Sequence, residues 1–271
     1  MQQIFTEQEM TVGGIVTVTG EDARHLAMVL RMKPGELVRV STAADPLKGI
    51  SQAESRSFLC EITELSKEQV TLVVREEMDS TELFNRIYLF QALPKGDRME
   101  TVIEKAVELG VSEIIPVEMK YCVVRLDEKK KQAKMRRYQA IAQSAAKQSK
   151  RSVIPRVCPP VPFAKALEMA AQCDVRLLPY ECQEGMEATN RALSEIAPGK
   201  SISIMIGPEG GFAEEEIAAA RQMDMRLISL GKRILRTDTA AIAAAAMVAF
   251  ACETAQENME AKGIPADGTK G

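Results

Sequence analysis

The sequence has no tryptophan, four tyrosines and seven phenylalanines, so aromatics make up only 4% of it. That scarcity argues against binding nucleic acid by stacking bases on aromatic platforms. With a single histidine, His25, and no Cys-x-x-Cys pair, soft ligands at suitable spacing are too few for a zinc site, and no metal is expected. The six cysteines (Cys60, Cys122, Cys158, Cys173, Cys182, Cys252) are scattered through a 271-residue chain, where a disulfide framework would be out of place. Reduced thiols in a cytosolic interior are expected. Long apolar runs are missing too: the longest, 240–252, is mostly alanine and too short to span a bilayer. No basic stretch followed by an apolar one opens the chain. A soluble, cytoplasmic protein with no membrane partner is therefore the expectation.

What is present is ample apolar material, 46% of residues, and a length that suits two domains. The first 75 residues carry strand-like patterns at 14–18, 36–40, 58–62 and 70–74 around one short helix. Asp22 is placed to cap that helix, Leu26, Val29 and Leu30 to share its buried face, and Pro34-Gly35 to end it. A long loop is expected over 41–57. After a polar linker at 76–85, strands alternate with helices, the pattern of an α/β unit with a largely parallel sheet. Strands are expected at 87–90, 114–117, 174–178, 202–206 and 226–230. Helices are expected at 97–110, 128–147 and 163–172, and from Ala213 and Thr239 onward. Asp97 with Glu100 has the spacing of a capping box, and Met99, Val102, Ile103, Ala106 and Val107 give that helix one apolar face. From about Gln256 to residue 271 the tail reads as disordered.

Three features could carry chemistry. The first is Gly207-Pro208-Glu209-Gly210-Gly211 between a strand and a helix, where glycines let the backbone approach a ligand. A phosphate loop is opposed by Glu209 and by Glu214, Glu215 and Glu216 in the next helical turn, and no lysine follows the glycines. A phosphate-free ligand with a positive centre, such as S-adenosylmethionine, fits better; a plain tight turn before a capped helix is the alternative. The second feature is the run from Leu230 through Gly231, Lys232, Arg233, Ile234, Leu235 and Arg236 to Thr237. It also joins a strand to a helix, with Thr237 or Asp238 as N-cap. The third is charge. Nine basic residues and no acidic one lie within 129–151, in a chain of net charge −3. Met135, Tyr138, Ile141, Ala142 and Ala145 are the buried stripe of that helix, so the cations face outward, as a polyanion binder requires or as any solvated helix allows.

Together these segments resemble the RsmE family, which methylates N3 of one uridine in RNA of the small ribosomal subunit. The resemblance runs through His25-Leu26, 29–35, 95–100, 108–110, Gln148-Ser149, Arg151, 206–212, 230–231 and 234–237. It implies a PUA-like β-barrel over 1–75 and a SPOUT methyltransferase domain with a C-terminal trefoil knot over 76–255. It also implies a homodimer that acts on 16S rRNA or the small ribosomal subunit. Carried over, the S-adenosylmethionine pocket uses Leu178, Ile206, Gly207, Pro208, Glu209, Gly210, Gly211, Leu230, Gly231, Ile234, Leu235 and Thr239. The RNA contacts fall on Arg24, His25, Arg31, Lys33, Lys95, Arg136, Arg137, Lys150 and Arg151. Arg236 or Arg98 is placed to stabilise negative charge on the uracil, with Asp238 as a candidate base. The chain departs from the family pattern at Asp238, where glutamate is usual, at Tyr138, where tryptophan is frequent, and at Ser144, where glutamate is common. The rival readings are a non-catalytic ribosome-assembly factor and a SPOUT enzyme acting on transfer RNA.

Overall fold

The structure, a computed structural model, describes residues 1–42, 55–124, 128–182 and 185–262. The chain divides into two compact units, Met1–Glu82 with Ala146–Ile154, and Leu83–Ala145 with Pro155–Gly271. The expected boundary at 75 thus lies at 82, and a later stretch, 146–154, returns to the first unit.

In the first unit, strands β1 (Gln2–Thr6), β2 (Ile15–Thr19), β3 (Leu37–Thr42), β4 (Ser57–Leu65) and β5 (Gln69–Met78) form one sheet in the order β1-β3-β4-β5-β2. Pairing is antiparallel except between β1 and β3. Alternate residues, among them Val38 and Val40 on β3 and Phe58, Cys60 and Ile62 on β4, fill the apolar core, as the two-residue period of a strand dictates. β1 was not expected, and β5 runs on into the stretch read as a linker. The short helix α1 (Gly20–Arg24) passes directly into a π-helical turn, His25–Val29. That wider turn keeps Leu26 in the core but swings Val29 and Leu30 out to 66% and 41% exposure, so the expected three-residue face does not form. Asp22 does not cap; the N-cap is Thr19, and the Asp22 carboxylate pairs with Lys147 at 2.6 Å. Of the expected 41–57 loop, residues 43–54 lie outside the described residues, while Ser41 and Ser57 belong to β3 and β4.

The second unit is an α/β layer structure on a wholly parallel sheet. Its strands are β6 (Arg86–Ala92), β7 (Glu113–Glu118), β8 (Arg156–Val157), β9 (Val161–Pro162), β10 (Val175–Pro179), β11 (Ser201–Ile206) and β12 (Arg226–Ile228). The order is β12-β10-β11-β6-β7-β8, with β9 also on β7. β6, β7 and β11 are nearly continuous apolar runs because they are covered on both faces. Between the strands lie α2 (Arg98–Glu108), α3 (Glu128–Ser149), α4 (Phe163–Ala170), α5 (Glu187–Ser194), α6 (Glu214–Gln222) and α7 (Thr237–Glu260). α2 buries the five residues its periodicity marked, and Gly110 ends it at φ +85°. Its capping box is not made: Glu100 is drawn instead to Arg137 at 2.8 Å. α5 was not expected.

α7 starts two residues before the expected Thr239 and continues through 256–260, so that part of the expected tail is helical; residues 263–271 lie outside the described residues. Its N-cap is Arg236, neither Thr237 nor Asp238. Among the described residues α7 alone is long and apolar enough to cross a membrane by length and composition. Here it packs its Ala241, Ala244, Ala245, Val248 and Cys252 stripe against α2, α5, β6 and β11. Small side chains allow that close approach.

Candidate functional site

The parallel sheet places the carboxyl ends of β10, β11 and β12 side by side, the usual position for ligands in α/β sheets. A cavity of about 320 Å³ opens there. The loop after β11 lines it with Ile206, Gly207, Pro208, Glu209, Gly211 and Phe212, and the loop after β12 lines it with 229–237. The two loops singled out in the sequence are therefore walls of one site.

The β11 loop is tightly held. A Cβ on Gly207 would come within 2.9 Å of the Phe212 ring, and Gly211 has φ +72°, so both positions demand glycine. Gly210 has its open side toward Tyr121, 3.0 Å from a notional Cβ, and does not line the cavity. Glu209 accepts from the Lys95 backbone N–H at 3.0 Å and from Arg98 Nη1 at 2.6 Å. Burial pushes its carboxyl up, but these donors outweigh that and hold it below the usual carboxylate value. Behind the loop, Glu216 receives the N–H groups of Ala213 and Lys120, both at 2.9 Å, which fixes the start of α6.

The β12 loop is more open. Lys232, Arg233, Ile234 and Arg236 are exposed, Ile234 by 86%. Its roots are nonetheless anchored. Ser229 exchanges two 2.9 Å hydrogen bonds with Thr189 of α5, and Gly231 N–H reaches Ser229 Oγ at 3.2 Å. Thr237 Oγ1 donates to the Gly207 carbonyl at 2.7 Å and accepts from Gln91 Nε2 at 2.9 Å. This Gln91-Thr237-Gly207 chain ties β6, the second loop and the first loop together.

Several residues fall elsewhere than the resemblance implied. Leu178 is fully buried within β10 and lines no part of the cavity; Pro179 and Tyr180, at the strand's end, do. Thr239 is exposed and off the cavity, because Thr237 and Ala240 occupy the helical face that looks into it. Arg98 is engaged with Glu209 and does not line the cavity, whereas Arg236 does. Asp238 lies in the first turn of α7, off the cavity, with Oδ1 buried and without a partner. Gln91, Glu181 and Thr237 were not expected. A glutamine ending an apolar strand was the available signal for Gln91, since a buried amide must bond to something.

The cationic residues are distributed over both units. In the first, Arg24, Arg31 and Lys33 are exposed and His25 is half-buried. In the second, Lys95 and Arg136 are exposed, while Arg137 pairs with Glu100 and Lys131 with Glu118. Arg151, expected to meet RNA, is 4% exposed and forms a charged pair with Glu82 within the first unit. All six cysteines are free, and only Cys182 is exposed. Burial pushes the Cys60 thiol up to about 11 and that of Cys252 to about 12, which keeps both protonated at neutral pH.

Fold and site together define a class, an α/β enzyme domain with a ligand cavity at its strand ends, and comparison with known proteins specifies it. The family model described as the RNA methyltransferase domain matches residues 81–249. A ribosomal RNA small subunit methyltransferase E from Bacillus subtilis is 33% identical over 260 residues, covering 93% of this chain and 98% of its own. A solved enzyme of the same name from Neisseria gonorrhoeae, bound to S-adenosyl methionine, is 31% identical with a TM-score of 0.74, over 91% of this chain and 96% of its own. A putative methyltransferase from Legionella pneumophila, solved with the bound cofactor SAM, is 30% identical with a TM-score of 0.76, over 92% and 97%. The chain belongs to the ribosomal RNA small subunit methyltransferase E family.

Proposed function

We propose that this protein transfers a methyl group from S-adenosylmethionine to N3 of one uridine in 16S ribosomal RNA, uridine 1498 in the usual numbering. The observation that carries the reading is the convergence of both glycine loops on one cavity containing carboxylates and guanidinium groups. Glu209 and Glu181 line it alongside Arg233 and Arg236. Such a set suits a zwitterionic ligand that has cationic sulfonium and ammonium groups and a carboxylate, and the volume lies at the small end of cofactor pockets. The relatives solved with this cofactor support the same assignment.

When bound, S-adenosylmethionine supplies an electrophilic methyl group on a sulfonium. The chain's part is to hold donor and acceptor in line and to exclude water, which can account for much of the rate. Ile206, Leu230 and Leu235 supply apolar wall, and Gly207 and Gly231 allow close backbone approach. Arg98 holds Glu209 in place and so acts on the donor side. Arg236, exposed at the cavity's rim, stabilises the negative charge that builds on the uracil oxygens as N3 loses its proton. Asp238 sits in the first turn of α7, at the end of the helix where an acidic side chain is favoured. N3 is on the base-pairing edge, so the uridine reacts unpaired or flipped out.

On the same reading the first unit is a PUA-like β-barrel that selects the RNA together with Arg24, His25, Arg31, Lys33, Lys95 and Arg136. The second unit threads a trefoil knot and pairs with a second copy, which would cover the outward Ile234 and Phe250, 86% and 72% exposed. The protein works in the cytoplasm. Calorimetry with S-adenosylmethionine tests the donor assignment: saturable heat is expected, and its absence would favour a non-catalytic assembly factor.

A further inference from the structure

The first unit buries an unusual polar layer. Val38 and Val40 of β3 point into the apolar core, so Arg39 and Ser41 lie on the sheet's other face, beside Gln3 of β1 and Ser57 of β4. All four are buried. The returning stretch 146–154 closes over them: Gln3 Nε2 donates to the Arg151 carbonyl at 2.6 Å, and the Ser57 and Ser152 hydroxyls meet at 3.0 Å.

Among the described residues, three cations, Arg39, Lys150 and Arg151, lie here with the carboxylate of Glu82, whose charge acts on Arg39 as well as on Arg151. That carboxylate is already occupied. Arg151 grips it through Nε and Nη2, and the Ser152 and Val153 N–H groups bond to it at 2.8 and 3.2 Å. Arg39 presents the same side-on fork, Nε and Nη2, at 5% residue exposure, yet neither atom has a partner. The pairing matters because this edge of a guanidinium matches two oxygens of a carboxylate or phosphate. Lys150 stands close by. Burial lowers its pKa, and the positive charge of Arg39 lowers it further. Its ammonium bonds to the neutral Lys147 carbonyl, and its backbone takes φ +64° where it ends α3, with the Arg151 N–H reaching back to the Ala146 carbonyl at 3.0 Å. Buried donors left without a partner call for an explanation, and a bound anion is one.

We propose that the Arg39 fork and the Lys150 ammonium form an oxyanion site in the first unit that takes a phosphate group. Both fork atoms are closed to solvent, so the side chains over them must shift for the ligand to enter. The phosphate has two sources, a phosphodiester of RNA or free phosphate. The first rests on the proposed function; the second does not.

The test uses the full chain and inorganic phosphate, titrated against chloride at constant ionic strength. The Nε–H signal of Arg39 is followed by NMR and assigned by its loss in Arg39→Lys. It should shift and saturate with phosphate, and Lys150→Gln should raise the phosphate needed about tenfold. A signal unmoved by phosphate, or moved equally by chloride, overturns the site and leaves the fork to a trapped water. A single-stranded small-subunit RNA fragment is then added. If it displaces the phosphate-induced shift, the source is a phosphodiester; if the shift persists, the site stands as one for free phosphate and the RNA source is refuted. Methyl transfer is assayed in parallel, so loss of the phosphate response with methylation intact refutes this site alone.

Discussion

The two cavity loops do the same topological job and are built in opposite ways. The β11 loop, 206–212, is locked by a glycine under the Phe212 ring, by the Lys95 and Arg98 donors on Glu209, and by the capped start of α6. The β12 loop, 230–236, is fixed only at its roots and presents three exposed cations and a bare isoleucine. The difference points to a division of labour. A preorganised wall costs little to order when the donor binds, whereas exposed cations at a rim are suited to meeting a large, negatively charged acceptor. Thr237 joins the two, since its hydroxyl bonds the first loop from the end of the second.

The comparison breaks most visibly at Gly207. Gly207→Ala drives a methyl group against the Phe212 ring. At about 1–3 kcal/mol for overpacking, affinity for S-adenosylmethionine should fall roughly 5- to 150-fold. Calorimetry reads this directly, and wild-type affinity would mean that the wall is soft. Arg236→Ala tests the other loop and should do the reverse. The single-turnover rate should drop about 100-fold, a typical cost of removing one charge-stabilising donor, with little change in donor affinity because Arg233 stays to face the donor's carboxylate. A loss of donor affinity instead would erase the division of labour.

Thr237→Val cuts the link between the loops and strands a buried Gln91 donor. Stability should fall by about 1–3 kcal/mol and donor binding with it, while Thr237→Ser retains both. Denaturant melts together with calorimetry separate the two effects. Arg98→Gln should act least, about threefold in donor affinity, because the Arg98 and Glu209 side chains are about one-third and one-quarter exposed and their pairing is screened. Its informative signature is in pH. In the wild type the donors on Glu209 depress its pKa, so its charge persists until the pH falls below the usual carboxylate value. Without Arg98 the pKa rises, and the acid-side loss of donor binding should begin at higher pH. An unchanged profile would show that the Lys95 N–H alone holds the carboxylate.

Much of this architecture was legible in local pattern. Apolar runs marked β6, β7 and β11 because strands buried on both faces need no alternation. The glycines of both loops were visible because close backbone approach leaves few other choices. What local pattern missed depends on partners distant in the chain. β1 carries one core residue, Ile4, and pairs in parallel with a strand some 35 residues on. The stretch 146–154 belongs to the first unit through Glu82 and Gln3, which no period predicts. Thr237 had the sequence position of a helix cap, yet its hydroxyl was claimed by a carbonyl on another loop. The same tertiary override moved Glu100 from its capping role to Arg137.

On the proposed function, the locked loop holds a methyl donor whose group ends on N3 of a single uridine. Small ribosomal subunits from a strain lacking this protein, incubated with it and deuteromethyl-labelled S-adenosylmethionine, can be digested to nucleosides and analysed by mass spectrometry. The account predicts labelled 3-methyluridine at one position per 16S RNA. Label on a ribose, on another base, or nowhere would contradict it.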